Sequence, residues 1–217
     1  MATLLHIDSS ALPAEGSASR EVTSAFRDNW LARHPEGTVV YRDLAAEPLP
    51  HLTAQGITAG FSDPATHDEA QRAAMAVREE LVAELEAADV VVVGAPMYNL
   101  GIPSTLKAWL DQVIVMGRTG GETSTLAGKP VVVVASRGGA YGPGTPREGM
   151  DHATPYLENV LAGLMQMTVQ VITPELTMAK ANPAMADLVP LAEASREQAL
   201  AQAAEKAEEL AAPPVAA

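Results

Sequence analysis

Two runs of four valines, "DVVVVGA" at 89–95 and "KPVVVVAS" at 129–136, constrain this chain more than any other feature. Strand side chains alternate between the two faces of a sheet, so an unbroken apolar run buries both faces. Such strands sit in the middle of a parallel sheet covered on both sides by helices. The flanking sequence supplies the other pieces. Leu4, Leu5 and Ile7 mark a first strand ending at Asp8, "TVVYRDL" (38–44) a second and "TVQVIT" (168–173) a fifth. Between them, apolar residues recur at helical spacing. Val22, Ala25, Phe26 and Trp30 form one such face, and "HPEG" stops it. Ala73, Val77, Leu81 and Leu85 form the next. Leu106, Trp109, Leu110, Val113 and Ile114 mark a third, with Ser104 as its expected N-cap. Leu157, Val160, Leu161, Leu164 and Met165 mark a fourth. A last helix carries Leu200, Ala203, Ala204, Ala207 and Ala211 before a "PPVAA" end expected to fray.

Strands alternating with helices predict an α/β fold of three layers, a five-stranded parallel sheet with helices on both faces. Right-handed crossovers leave few topologies, and five strands suit the flavodoxin-like order 2-1-3-4-5. The chain has 217 residues and shows neither an internal repeat nor a linker, so a single domain over 1–217 is expected. The stretch 45–66 reads as a long loop, of the kind used as a lid or an interface.

Composition removes several function classes. A formal net charge of −13 argues against nucleic acid and against an anionic membrane as partner. The absence of Cys excludes disulfides, thiol nucleophiles and thiolate metal sites, and suits the cytoplasm. The N-terminus does not read as a signal peptide, and no apolar run nears the ~20 residues of a membrane span. His34, His51 and His67 are scattered and no His pair has metal-ligand spacing, so no metal site is expected.

In a doubly wound sheet, ligands bind at the carboxyl ends of the strands beside the switch point, here strands 1 and 3. The loops after strands 1, 3 and 4 are the unusual ones. The first, "SSALPAEGSAS" (9–19), offers hydroxyls and free N–H groups at a helix start, which suits a phosphate. It reads equally as an ordinary Ser-capped helix start. It is not a G-x-G-x-x-G loop, and "GETSTLAGKP" (121–130) departs from a P-loop in spacing, in Pro130 and in the strand that follows it. Hydroxyls without a cationic clamp suit a monophosphate such as that of FMN. The second loop, "GAPMYNLGIP" (94–103), places Met97, Tyr98, Asn99 and Leu100 where they can seat an aromatic ring system or simply pack a turn. The third offers Ser136, Arg137, Gly138 and Gly139, where Gly-Gly lets the backbone approach a flat ligand or makes a flexible turn. His6 lies in the first strand as a core residue. Asp151 and His152 form an acid/base pair or a helix cap, and capping is the favoured reading.

Together, "SS…SAS", "APMYNLGIPSTLKAWLD" and "SRGGAYGPG" resemble the FMN-dependent NADH azoreductases, flavodoxin-like homodimers that also reduce quinones. The resemblance extends through "RDLAAEPLPHL" and "TPYLENVLAGL". It implies one FMN per subunit, with phosphate contacts at Ser10, Ser17, Ala18 and Ser19. Ring and ribityl contacts would come from Met97, Tyr98, Asn99 and Leu100, and Ser136, Arg137, Gly138 and Gly139 would close the pyrimidine side. It implies NADH as co-substrate, a quinone or azo compound as acceptor, and no catalytic side chain, since the chemistry belongs to FMN. Between Gly117 and Lys129 the family carries a longer segment with aromatic residues over the cleft. Here "GRTGGETSTLAGK" is short and has none, which implies a more open or differently lidded site. Other readings are an FMN electron carrier, a flavin-dependent tailoring enzyme with another acceptor, and a Ser hydrolase using Ser9 or Ser10 with Asp151–His152. The hydrolase lacks a G-x-S-x-G elbow.

Overall fold

The computed structural model describes residues 1–211. Five parallel strands, β1 (Thr3–Asp8), β2 (Thr38–Asp43), β3 (Val90–Gly94), β4 (Pro130–Val134) and β5 (Thr168–Ile172), form one sheet in the order β2-β1-β3-β4-β5. This is the expected order. It pairs Leu5 with Val91, Val92 with Val132, and Val133 with Val171. The helices are α1 (Ala18–Arg33), α2 (Ala54–Ala59), α3 (Glu69–Ala87), α4 (Ser104–Val113), α5 (Thr154–Glu158) and α6 (Val189–Ala211). No helix among the described residues is long and apolar enough to cross a membrane.

The valine runs divide between two cores as the pleat requires. Val91, Val93, Val131 and Val133 pack with Leu81, Leu85, Leu106, Trp109, Leu110 and Leu157 beneath α3, α4 and α5. Val90, Val92, Val132 and Val134 pack with Val22, Phe26 and Trp30 of α1 and with α6. Each fully buried Val contributes on the order of 1.5–3 kcal/mol relative to an exposed one. Ala199, Ala203 and Ala207 are buried at four-residue spacing, so small side chains let α6 lie close against α1.

Four sequence expectations change in detail. The stretch 45–66 contains α2 and a 3₁₀ turn over Pro64–Thr66, with Thr53 capping α2 through the Gly56 N–H. A six-residue helix is too short to show a periodic face. Ser104 is the first helical residue rather than the cap, and Pro103 precedes it with no side-chain cap bond. Beyond Glu158, α5 continues as a π-helix over Asn159–Leu164, widened where the Met165 N–H bonds to Val160 O. The last helix begins at Val189, well before Leu200. The "PPVAA" end lies outside the described residues.

The segment 117–129 follows α4, which runs back across the sheet, and so lies at the edge where the strands begin. Arg118 binds Glu79 and Glu86 of α3, and the Gly121 N–H donates to Leu164 O. Thr119 and Leu126 are fully buried. Within one chain, this segment is held at the edge opposite the loops that follow β1, β3 and β4.

Candidate functional site

Those three loops meet at the carboxyl edge of β1, β3 and β4. Ser9 is tied to the end of β3, its N–H and its Oγ both donating to Gly94 O, at 3.2 and 2.6 Å. The Met97 N–H donates to Ser136 O at 2.8 Å, joining the second loop to the third. The Tyr98 hydroxyl accepts from the Ala11 N–H at 3.1 Å and shares a hydrogen bond with Ser10 Oγ at 3.2 Å, joining the second loop to the first. Glycine is required at 94, because a Cβ there would stand 2.6 Å from Asp8 Oδ1.

The segment "GAPMYNLGIP" is a tight reversal. Tyr98 and Gly101 exchange backbone hydrogen bonds, and Asn99 and Leu100 both have positive φ, +50° and +69°. Two consecutive left-handed residues are what a type I′ turn needs. Asn tolerates this, but Leu is strained there, and strain of this kind collects at functional sites. Leu100 O accepts from the His152 N–H, which fixes the turn against the start of α5.

At the first loop, Ser17 is the N-cap of α1, accepting from the Arg20 N–H, and its Oγ lies 3.2 Å from Ser19 Oγ. Ser10, Ser17 and Ser19 are buried. The N–H groups of Ser10, Ala18 and Ser19 have no acceptor among the described residues. Three hydroxyls and these donors gather at a helix N-terminus, an arrangement whose dipole and free N–H groups suit an anion. The third loop is braced by the segment that follows β5. The carbonyls of Arg137, Gly138 and Gly139 accept from the N–H groups of Thr177, Met178 and Leu176, while the N–H groups of Gly138 and Gly139 have no acceptor among the described residues. Met178 covers Gly138 so closely that a Cβ on Gly138 would lie 2.9 Å from Met178 Cγ.

Two of the side chains singled out by the sequence have partners within the protein. The Arg137 guanidinium pairs with Glu175 at 3.0 Å and with Asp151, and Glu175 also accepts from the Tyr141 N–H at 3.1 Å. Two carboxylates hold the Nη atoms of this guanidinium, and the Arg137 backbone is also engaged, its N–H donating to Pro174 O at 2.9 Å and its carbonyl accepting from Thr177, so the free N–H groups of this loop are those of Gly138 and Gly139. Asp151 accepts from the N–H groups of Ala153 and Thr154, so capping is its role. No hydrogen bond among the described residues joins Asp151 to the His152 ring, and Ser9 Oγ is bound to Gly94 O, which leaves a Ser-His-Asp relay without its links.

A buried cluster beneath the first loop escaped sequence reading. His6 is fully buried, with Nε2 3.2 Å from Asp8 Oδ2. Asp8 also accepts from Thr23 Oγ1 at 2.9 Å and from the Tyr41 hydroxyl at 3.1 Å. Burial raises the Asp8 carboxyl, but His6, Thr23 and Arg20 outweigh it and hold the group below its ordinary 3.8. Burial and the neighbouring Asp8 push Tyr41 up to about 12, so the phenol remains a donor. Arg20, buried in the first turn of α1, completes the cluster with two bonds of 2.8 Å to Asp43. A lone Arg in a helix carries no sequence signal for such a role.

The arrangement tests well against FMN. The phosphate end offers neutral donors and a helix dipole, the middle offers the Met97–Leu100 turn, and the far end offers the Gly138 and Gly139 N–H groups. These features define a doubly wound α/β protein whose loops at the topological switch point present unpartnered donors, with no Ser-His-Asp relay among the described residues. The chain belongs to the flavodoxin-like fold family, whose sequence profile matches residues 2–211. It is 61% identical over 212 residues to the FMN-dependent NADH:quinone oxidoreductase of Streptomyces avermitilis, covering 97% of this chain and 98% of that one. It is 59% identical over 210 residues to the protein of the same name from Streptomyces coelicolor, covering 97% and 96%. The crystal structure of azoreductase from Bacillus anthracis superposes with a TM-score of 0.82 at 27% identity, covering 96% of this chain and all of that one.

Proposed function

We propose that the chain is an FMN-dependent NADH oxidoreductase that reduces quinones to hydroquinones and cleaves aromatic azo compounds to amines. One observation carries this reading: three loops tied together at the switch point present neutral, unpartnered N–H donors, and no Ser-His-Asp relay joins them among the described residues. The names of the relatives from Streptomyces and of the Bacillus structure support it.

Ser10, Ser17, Ala18 and Ser19 hold the phosphate through hydroxyls and N–H groups. Met97, Tyr98, Asn99 and Leu100 seat the ring and ribityl chain, and Tyr98 does so while fixing the phosphate loop. Ser136, Arg137, Gly138 and Gly139 close the pyrimidine edge, where the N–H groups of Gly138 and Gly139, which have no acceptor among the described residues, stabilise negative charge. When bound, FMN would supply the redox chemistry, two-electron transfer from NADH to a quinone in one round or to an azo bond in two, with the remaining protons drawn from solvent. The whole chain, 1–217, acts as one FMN-binding unit, in the cytoplasm, where NADH is at hand and a chain without Cys needs no oxidising compartment. It works as a homodimer. Leu52, Ile57 and Phe61 are exposed on the arm around α2, beside a mainly apolar groove of about 390 Å³ between that arm and α3, and a second copy covers this face.

Anaerobic titration of the FMN-loaded protein with NADH tests the reading. One equivalent of NADH bleaches the flavin, and a quinone or azo dye restores its colour. A protein that takes up no FMN, or whose flavin is not bleached by NADH, overturns it.

A further inference from the structure

We infer that Arg20 is a positioning residue that holds the loop after β1 in the shape that presents its donors to the FMN phosphate; this rests on the FMN reading above. The loop has little of its own to hold it. Residues 11–16 are exposed and contain one 3₁₀ turn over Ala14–Gly16. Arg20 reaches back beneath it. Its Nη2 donates to Ser10 O at 2.8 Å and its Nε to Leu12 O at 3.0 Å. Nη1 also donates to the Tyr41 hydroxyl at 3.1 Å. Asp43, at the end of β2, anchors the guanidinium to the sheet through both of its oxygens.

The grip on the Ser10–Ala11 peptide is two-sided. Its carbonyl accepts from Arg20 and its N–H donates to the Tyr98 hydroxyl. With both ends bonded, the peptide plane cannot rotate, and Ser10 is held in register with Ser17 and Ser19. The charge of Arg20 faces Asp43 and, at 3.6 Å, Asp8. It is therefore neutralised by carboxylates, and the residue acts on a phosphate through the shape of the loop. A guanidinium has five donors in a rigid fork, whereas an ammonium is a single point of charge. Lysine at 20 would keep the charge and lose the fork.

The test compares FMN with riboflavin, which has the same ring and no phosphate. Equilibrium dissociation constants for both flavins are measured by fluorescence quenching on the wild-type protein, Arg20→Lys and Asp43→Asn. The wild type prefers FMN, and Arg20→Lys weakens FMN by about tenfold, while riboflavin changes by less than about twofold. Asp43→Asn removes the anchor and shifts the FMN-to-riboflavin ratio in the same direction by a smaller factor, which keeps the test alive if Arg20→Lys does not fold. If Arg20→Lys binds FMN as the wild type does, charge suffices and the inference fails. If both flavins weaken equally, Arg20 serves the fold alone and the inference again fails. A wild-type protein that binds neither flavin overturns the cofactor reading itself.

Discussion

At Gly94 the last residue of β3 passes directly beside the Asp8 carboxylate, so a methyl group there would displace either the strand or the charge. Gly94→Ala is expected to cost about 1–3 kcal/mol of stability, read from the urea midpoint. Tyr98 is the other hinge of the site. Tyr98→Phe leaves the turn intact but removes the oxygen that meets Ser10 and Ala11. The expected loss is about 1 kcal/mol in FMN affinity, measured by flavin titration. Asp8 gives the cluster a pH signature. Its carboxyl lies lower when folded than its ordinary 3.8, so it binds fewer protons in the folded state over that range. Its stabilising contribution is complete above the unfolded value and is lost as pH falls through the folded one. Urea midpoints should decline below about pH 4, and Asp8→Asn should flatten that decline while lowering the plateau. The sequence pointed to Ser10, Ser17, Ser19 and Tyr98 through their place after two strands. It was silent on Arg20 and Tyr41, whose side chains meet Asp8 only once β1, β2 and α1 are packed.

Among the elements, α5 shows how one carboxylate serves two structures. Asp151 caps the helix through Ala153 and Thr154 and also holds Arg137, which braces the third loop. Asp151→Ala removes both contacts and is expected to cost about 2 kcal/mol or more. Hydrogen exchange at Gly138–Tyr141 should rise with it, since only Glu175 and the neutral Thr154 hydroxyl would then hold the guanidinium. The α1–α6 contact depends on small residues, and Ala203→Leu should destabilise by about 1–3 kcal/mol, seen in thermal unfolding. The valine strands and the long amphipathic helices were legible because each repeats a period several times. The π-helical end of α5, α2 and the uncapped start of α4 were not, because each depends on one or two residues that neighbours override.

For the molecule as a whole, the acidic, aromatic-poor chain exposes a cluster of large apolar side chains around α2 among the described residues, where Phe61 is 86% exposed. The proposed homodimer predicts that Phe61→Ser together with Ile57→Ser shifts sedimentation toward the monomer, and a wild-type protein that already sediments as a monomer overturns it. The short 117–129 segment is anchored on α3, so within one chain it puts no lid on the cleft. What the sequence determined by itself was the layering and which loops share the carboxyl edge of the central strands. Eight valines in two runs demand burial on both faces, and a doubly wound sheet then fixes which loops can meet a ligand. What only the tertiary structure decided was the division of labour among the polar side chains. Arg137 goes to two carboxylates, Asp151 to a helix end, and Arg20 to loop carbonyls contributed by another stretch of chain. Apolar burial is written in periodic patterns along the chain, whereas a hydrogen bond requires particular atoms at about 3 Å, and only the packed fold sets that distance.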